Sequence, residues 1–410
     1  MRQSKLFSKV LREEPKDEKS INAKLLVRAG FVDKLMAGVY SFLPLGNFVL
    51  KKIENIIREE MLKVDAFEVF LPTLHPKENW QKTGRWEKMD DLYKLKVEDK
   101  EFALGPTHEE VISPLVKKFL SSYKDMPLNL FQFQNKFRNE KRAKSGLLRG
   151  REFLMKDLYS FNSSEEELEN YYEKIKQAYK NIFQRCGIWE KTYLTLASGG
   201  SFSKFSHEYQ TLTQAGEDII YICKKCNLAI NKEIIDIEEG KCFQCKNSNL
   251  KEEKAVEVGN IFKLNEKYSK PFDLSFTDKN GKKKFVLMGC YGIGLSRLMG
   301  TIVEVHHDNK GIIWPKEVSP FKFHLIEIGK SGKVKEIANE IYQFDEENIL
   351  YDDREDKSAG EKFAEADLIG ISLRIIVSDK TAEKESVEIK ERGEEFSKVI
   401  KKDEIKKIIK

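Results

Sequence analysis

The sequence predicts an α+β fold in two parts, and three observations carry that reading. Residues 127–140 and 151–157 alternate polar and apolar side chains on either side of a basic, glycine-containing loop, the pattern of an antiparallel hairpin. Amphipathic helices at 47–64 and 163–185 accompany it. From Pro320 the pattern changes to short strands alternating with helices, which marks a separate small α/β domain.

Each element follows from its residues. In 47–64, Val49, Leu50, Ile53, Ile56, Ile57, Met61 and Val64 fall at helical spacing with charges between them. A short strand over 67–71 follows, closed by Pro72. In 127–140, Phe131, Phe133 and Phe137 share one face while Gln132, Gln134, Lys136, Arg138 and Glu140 share the other. A polar face so rich in functional groups does not simply meet water. After the loop 141–150, Arg151, Phe153, Met155 and Asp157 again line one face. Ser163 and Ser164 ahead of Glu165, Glu166 and Glu167 open the helix 163–185. The stretch 198–201, Ser-Gly-Gly-Ser, reads as a loop. Strands are expected at 255–264 and 284–288, and the glycine-rich 289–294 as a lead into a helix reaching about Glu304. Beyond Pro320 the order is strand 321–328, helix 333–344, strand 348–351, helix 358–368, strands 371–378 and 386–391, and helix 394–409.

With 410 residues, 40% hydrophobic and 34% charged, the chain can bury two or three cores and is no disordered tail. It contains no run of about 18 apolar residues, and its first twenty residues mix acids with bases around no apolar stretch. Membrane spans and a secretory signal are therefore excluded, and a cytoplasmic address is expected. The net charge of +5 is unevenly spread. Residues 321–410 hold 18 Lys and Arg against 22 Asp and Glu, a net of −4, which leaves +9 on residues 1–320.

Four of the six cysteines form Cys223-x2-Cys226-x15-Cys242-x2-Cys245, a zinc-ribbon spacing. Zinc held by four thiolates would be structural, since no position stays open for chemistry; a reduced, metal-free or redox role is the alternative. On the hairpin, Arg138 and Glu140 share a face with Arg149, Arg151 and Phe153 near the same end. Guanidiniums grip phosphates, a carboxylate accepts from an exocyclic amine, and a phenyl ring stacks on a purine, so the face suits a nucleoside triphosphate. The competing reading is a solvated hairpin with cross-strand ion pairs. Gly292-x-Gly294-x2-Arg297 puts Arg297 in a first helical turn, where anions bind. It is not a dinucleotide fingerprint, whose third glycine is replaced by Arg297, and Gly329-Lys330-Ser331 is no phosphate loop, since His324 stands where its first glycine should be. Thr107 and Glu110 form an S/T-x-x-E capping box, leaving Glu109 without a structural task. His306-His307-Asp308 reads as surface polar, because adjacent histidines point apart.

The unit of helix, strand and Pro72, the segment Phe137-Arg138-x-Glu140 with Arg149-x3-Phe153, and Gly292-x-Gly294-x2-Arg297 resemble, in order, the three motifs of class II aminoacyl-tRNA synthetases. The stretches AGVYSFLPLG (37–46), GRWEKM (84–89), LGPTHEEVI (104–112), FRNE (137–140), RGREFLMKDLYSF (149–161), GEDIIY (216–221), EVGNIFKLNEKYS (257–269), MGCYGIGLSR (288–297), GIIWP (311–315) and YDDREDKSAGEKFAEADLIGI (351–371) are similar to bacterial prolyl-tRNA synthetases, here without the large editing insertion. The resemblance extends from residue 1 to about 400. It implies an antiparallel sheet with flanking helices, dimerising through the first motif, and a C-terminal α/β anticodon-binding domain. The catalytic domain would occupy 1–218 and 255–319, the zinc-ribbon-like insertion 219–254 and the anticodon-binding domain 320–410.

By the same resemblance, Thr107 and Glu109 would recognise the imino group of L-proline, and Phe262 and Cys290 would line its pocket. Arg138 would bridge the proline carboxylate and the α-phosphate of ATP. Glu140 and Phe153 would hold adenine, Arg149 and Arg297 the distal phosphates, and Glu257 the nucleotide or its Mg²⁺. The partners implied are ATP, L-proline and tRNAPro. Three departures stand out: Asn260 where the family usually has His, Pro114 inside the helix after Glu110, and only residues 219–254 where relatives carry an editing domain. The chain is therefore expected to misactivate alanine without clearing the product. The rival readings are a threonyl-, histidyl- or glycyl-type synthetase, which would lack the pocket segments around Thr107, Glu109 and Cys290, and a non-catalytic paralogue, which would typically lack one of Arg138, Arg149 and Arg297.

Overall fold

The computed structural model describes residues 1–200 and 205–409. The chain forms two compact units, one built from Met1–Lys34, Ser41–Lys52 and Ile302 onward, the other from Leu35–Tyr40 and Ile53–Thr301. No helix among the described residues is long and apolar enough to cross a membrane.

The second unit is organised by a nine-stranded sheet. Helices α2 (Glu109–Val116) and α3 (Glu165–Arg185) belong wholly to this unit, and of α1 (Pro44–Leu62) and α4 (Leu295–Val305) it holds the residues from Ile53 and up to Thr301. Its strands are β1 (Phe67–Glu68), β2 (Leu128–Phe137), β3 (Glu152–Asn162), β4 (Thr192–Ser198), β5 (Phe205–Leu212), β6 (Asp218–Cys223), β7 (Leu228–Asn231), β8 (Leu250–Asn265) and β9 (Leu287–Gly294). The order across the sheet is β5-β4-β7-β6-β8-β9-β3-β2-β1, with β8 long enough to pair with β6 over its first part and β5 over the rest. Only β1 with β2 and β4 with β7 run parallel among these strands; every other pair is antiparallel.

The expected elements form for the expected reasons. Helix α1 buries Val49, Leu50, Ile53, Ile56, Ile57 and Met61, the apolar stripe of its sequence. Ser164 caps α3 by accepting from the Glu167 amide at 3.2 Å, and Ser163 reaches the Glu167 carboxylate. Strands β2 and β3 pair from Leu128↔Phe161 to Phe137↔Glu152, so the hairpin is as read. Gln132, Gln134 and Lys136 are buried on its polar face.

Two of the elements expected here take a different form. The strand at 67–71 is only Phe67–Glu68, although the Val69 amide still bonds the Phe131 carbonyl at 2.8 Å. The glycine-rich 289–294 leads into α4 as expected, but it does so as the body of β9, a central strand. Its small residues are required by close neighbours: a Cβ at Gly289 would meet the Tyr291 hydroxyl at 2.3 Å, and one at Gly292 would meet Asn260 Oδ1 at 2.9 Å. The expected loop at 198–201 begins where β4 ends at Ser198; Ser201 lies outside the described residues.

In the first unit, β10 (Phe323–Ile328), β11 (Ile349–Asp352), β12 (Leu373–Ser378), β13 (Ser386–Glu391) and β14 (Lys398–Lys401) form a sheet in the order β11-β10-β12-β13-β14. The first three strands are mutually parallel through β10, and α5 (Gly332–Phe344) and α6 (Ala359–Ile369) make the crossovers. Leu325, Ile337, Ile341, Tyr351, Ile375 and Val387 fill its core. The helix expected over 394–409 is split: 398–401 pairs with β13 as an edge strand, and only α7 (Lys402–Ile409) is helical. His306-His307-Asp308 is not a bare surface patch either, since Arg392, itself buried, grips both Asp308 oxygens at 2.9 and 2.8 Å. That pairing holds the Asp308 carboxyl well below its ordinary range.

Candidate active site

Where β3, β8 and β9 run side by side, a cavity of about 600 Å³ opens against the start of α2. Register explains its lining. Cys290 on β9 lies opposite Phe262 on one side and Tyr159 on the other, and Gly292 lies between Asn260 and Asp157. Thr107, Glu109, Arg138, Phe262 and Cys290 thus reach one cavity from four stretches of sequence. Within it Glu109 is fully buried. It accepts from Thr107 Oγ1 at 2.6 Å, from Arg85 Nη1 at 3.2 Å and from the Cys290 thiol at 3.5 Å. Burial and the Glu109 charge push the Cys290 thiol far up, so it stays protonated and donates.

This geometry overturns the capping box. Helix α2 starts at Glu109 with His108 as its N-cap and no side-chain cap bond. The Thr107 hydroxyl turns to Glu109 instead, and Glu110 pairs with Arg85 and accepts from Thr83 Oγ1 at 2.9 Å. Glu109 is therefore a fixed carboxylate on the cavity wall rather than a side chain without a task.

Beneath the wall lies a buried network that sequence reasoning did not find. Lys136 Nζ sits 2.7 Å from Asp157 Oδ1 and 2.6 Å from His108 Nδ1, and His108 Nε2 donates to the Pro72 carbonyl at 3.0 Å. Burial, followed by the Lys136 charge, drops the His108 pKa to about 3, which keeps the ring neutral with Nδ1 as acceptor. Burial opposes ionisation of Asp157, yet the Lys136 charge and a hydrogen bond from Gln132 Nε2 at 2.9 Å hold its carboxyl below the usual range. The His108 amide donates to the Tyr159 hydroxyl at 3.0 Å, so the residue between Thr107 and Glu109 is held by both its ring and its backbone. The inward polar face of β2 was the available signal.

A second cavity of about 230 Å³ is lined by Arg138, Glu140, Arg149, Phe153, Glu257 and Arg297, with Glu217 and Asp218 from the lead into β6. The expectation of ion pairs across the hairpin holds in part, because Arg149 Nε bonds Glu140 at 2.8 Å while Nη1 bonds Glu217 at 2.6 Å. Arg297 donates from Nε to the Leu148 carbonyl at 2.9 Å and from Nη1 to the Glu257 carbonyl at 2.9 Å and carboxylate at 3.2 Å. Asn260 donates to the other Glu257 oxygen at 2.7 Å. The exception is Arg151, which turns away and donates to the carbonyls of Glu140 and Ala37 at 3.0 and 3.1 Å.

Arg138 belongs to both cavities. Its guanidinium lies over the Phe153 ring at 5.2 Å, and Nη2 reaches the Pro106 carbonyl at 3.4 Å. Its buried Nε has no hydrogen-bond partner among the described residues. Burial, with Arg297 adding to it, lowers the affinity of this guanidinium for its proton. A charge held so sparsely by its own protein is available to an anion.

Away from both cavities, Cys223, Cys226, Cys242 and Cys245 bring their Sγ atoms within 4.8 Å of one another. Tetrahedral zinc with bonds of about 2.3 Å to sulfur needs thiolates roughly 3.8 Å apart, so the cluster fits such an ion.

An antiparallel sheet with an arginine placed between two cavities and a separate α/β domain is the arrangement of a class II aminoacyl-tRNA synthetase. The family model described as tRNA synthetase class II core domain (G, H, P, S and T) matches residues 93–306, and that described as anticodon binding domain matches 322–410. Curated proline--tRNA ligases are similar along nearly the whole chain. One from a Wolbachia strain of Drosophila simulans is 40% identical over 410 residues, with 96% of each chain covered, and one from Ehrlichia ruminantium is 39% identical with 97% and 96% covered. The chain belongs to the proline--tRNA ligase family. A relative from Bacillus licheniformis, 33% identical, aligns over 553 positions, so at least 143 of them have no counterpart in these 410 residues. In fold, the chain matches a crystal structure of prolyl-tRNA synthetase from Cryptosporidium parvum with L-proline and AMP. The TM-score is 0.77 at 20% identity, covering 95% of this chain and 73% of that one.

Proposed function

We propose that this chain activates L-proline with ATP and transfers the prolyl group to the 3′ end of tRNAPro, with catalytic parts at 1–218 and 255–319 and an anticodon-binding domain at 320–410. The observation that carries the reading is Arg138 lining both cavities, one sized for an amino acid and its neighbours, the other walled by arginines. In the first, Glu109 and Thr107 receive the imino group while Phe262 and the Cys290 thiol flank the ring. In the second, Phe153 stacks on adenine, Glu140 accepts from its amine, and Arg149 and Arg297 exchange their present carboxylate partners for the distal phosphates.

The proline carboxylate then attacks the α-phosphorus, and pyrophosphate leaves from the opposite side. Two anions must be brought into line and the charge of the pentacovalent state neutralised; no base is required, because the carboxylate already carries its electron pair. Arg138, reaching both anions, supplies that neutralisation. Glu257 and the nearby Asp218 offer the hard oxygen donors that suit Mg²⁺, and the ion would add positive charge at the phosphates. The ribose hydroxyl of tRNA attacks the adenylate in the second step, and the +9 of residues 1–320 favours the phosphate backbone.

Further parts of the proposal are structural zinc on the four cysteines of the 219–254 insertion, a cytoplasmic setting, and a homodimer. Exposed Leu62, Phe67 and Phe70 near the first motif support the last, since a second copy would cover them. Amino-acid-dependent ATP–pyrophosphate exchange across the twenty amino acids tests the central reading: exchange with proline well above the others is expected, and equal or greater exchange with threonine, histidine or glycine overturns it.

A further inference from the structure

Arg85 stands between two buried carboxylates, and the proposed reaction uses only one of them. Its Nη1 lies 3.2 Å from Glu109 Oε2 and 3.1 and 3.2 Å from the two Glu110 oxygens, and both glutamates are fully buried. The guanidinium is held against Trp80 and Tyr268, with ring centroids 5.1 and 5.7 Å away. Glu110 is fixed too, because Thr83 Oγ1 donates to its carboxylate at 2.9 Å and Asn79 to its carbonyl at 2.8 Å.

A guanidinium bound to a single buried carboxylate neutralises it, and a neutral pair attracts a cationic substrate weakly. Here two carboxylates share one guanidinium, so with both ionised these three side chains carry a net negative charge. Glu109 keeps an oxygen turned to the Cys290 thiol on the cavity wall, whereas Glu110 is engaged on its far side by Thr83. Of the other cations lining the cavity, Lys88 and Lys267 are solvent-exposed, so water weakens the attraction that Lys267 exerts on Glu109, and Arg138 serves the carboxylate end of the substrate.

We propose that Glu110 is a positioning residue for substrate recognition: by engaging Arg85 it prevents that guanidinium from neutralising Glu109, and so leaves Glu109 anionic for the imino cation. Thr107 and the Cys290 thiol hold the Glu109 carboxylate in place. This rests on the reading of Glu109 as the imino-binding residue.

The test is pyrophosphate exchange at pH 8, where Glu110 is ionised even though burial pushes its carboxyl up to about 7, with Glu109 adding to the rise and Arg85 opposing it. Wild type, Glu109→Gln, Glu110→Gln and the double variant Arg85→Gln/Glu110→Gln are compared, with tetrahydrofuran-2-carboxylate, a proline analogue that keeps the carboxylate but has a neutral ether oxygen in place of the imino cation, as competitive inhibitor. Glu110→Gln should raise the KM for proline by about tenfold or more, leave the KM for ATP within about twofold, and leave inhibition by the analogue nearly unchanged. The double variant, with both charges gone, should recover most of the affinity for proline. Equal weakening of proline and the analogue, or a double variant no better than Glu110→Gln, would overturn the proposal. So would an unchanged proline KM in Glu110→Gln while Glu109→Gln weakens proline. An unchanged proline KM in Glu109→Gln would instead overturn the imino-binding reading beneath it.

Discussion

Asn79 donates its side-chain amide to the main-chain carbonyl of Glu110 at 2.8 Å. That is the carbonyl to which a fourth-following amide would normally donate, and the fourth-following residue is Pro114, which has none. Helix α2 therefore runs through its proline to Val116 because a side chain from another helix replaces the lost donor. Asn79→Ala should cost about 1–2 kcal/mol, since it strands a buried carbonyl. In a Pro114→Ala background, where the amide returns, the same change should cost much less. Urea denaturation of the four proteins measures this; equal costs in both backgrounds would show that Asn79 does not serve that carbonyl.

Arg138→Ala should abolish adenylate formation and leave the fold intact. The side chain contributes one ring contact and one long bond to Pro106 in the free protein, whereas in the reaction it meets both anions. Loss of such a contact should cost about 3–4 kcal/mol or more, hundreds-fold in rate. Pyrophosphate exchange within tenfold of wild type in a folded variant would contradict the assignment.

What could be read in the sequence was whatever local periodicity determines. The hairpin of β2 and β3, the Ser164 cap and the strand–helix alternation from Pro320 to β13 depend on near neighbours, and they stand as expected. The misreadings share one cause, partners that a short window of sequence does not contain. Thr107 and Glu110 match a capping box, yet Glu110 is 25 residues from Arg85 and a buried guanidinium outcompetes a helix amide. Glycines at 289–294 give no strand pattern of their own, and it is β3 and β8, closing on both sides of them, that make the lead into α4 a central strand. Lys398 to Lys401 carries two apolar residues between lysines, as short a pattern for an edge strand as for a helix, and only β13 decides it.

Lys156 gives a pH dependence of stability. Its Nζ is fully buried, donating to the Tyr179 hydroxyl at 2.8 Å and the Tyr291 carbonyl at 3.0 Å, and burial pulls its pKa down to about 7 from an ordinary 10.5. Between those values the unfolded chain holds a proton that the folded chain has released, so this residue makes stability rise with pH from about 7 to 10.5. Below 7 both states are protonated, and the folded one bears the full cost of the buried ammonium. Lys156→Met should flatten that rise and be neutral or stabilising at pH 7. Denaturant midpoints at pH 7 and 9 that shift equally in variant and wild type would refute it.

The four-cysteine cluster should bind one Zn²⁺ per chain. Chelation should loosen the 219–254 segment, detectable as faster amide exchange there, while the residues of the two cavities remain in the chain unaltered. Metal analysis that finds no zinc in a reduced preparation would remove the assignment.

Fidelity follows from size. Alanine is smaller than proline, so the first cavity cannot exclude it, and the missing methylenes weaken its binding by only about 1–3 kcal/mol, tens- to hundreds-fold. A hydrolytic second sieve needs a pocket with a core of its own. The 36 residues from 219 to 254 do not supply one: β6, β7 and the start of β8 are strands of the nine-stranded sheet, and most of what remains surrounds the cysteine cluster. The chain should therefore form Ala-tRNAPro and not remove it, leaving correction to a separate protein. Incubating pre-formed Ala-tRNAPro with the purified enzyme tests this. Deacylation at the spontaneous rate is expected; deacylation clearly faster than that, and abolished by heating the enzyme, would reveal an editing site within these 410 residues.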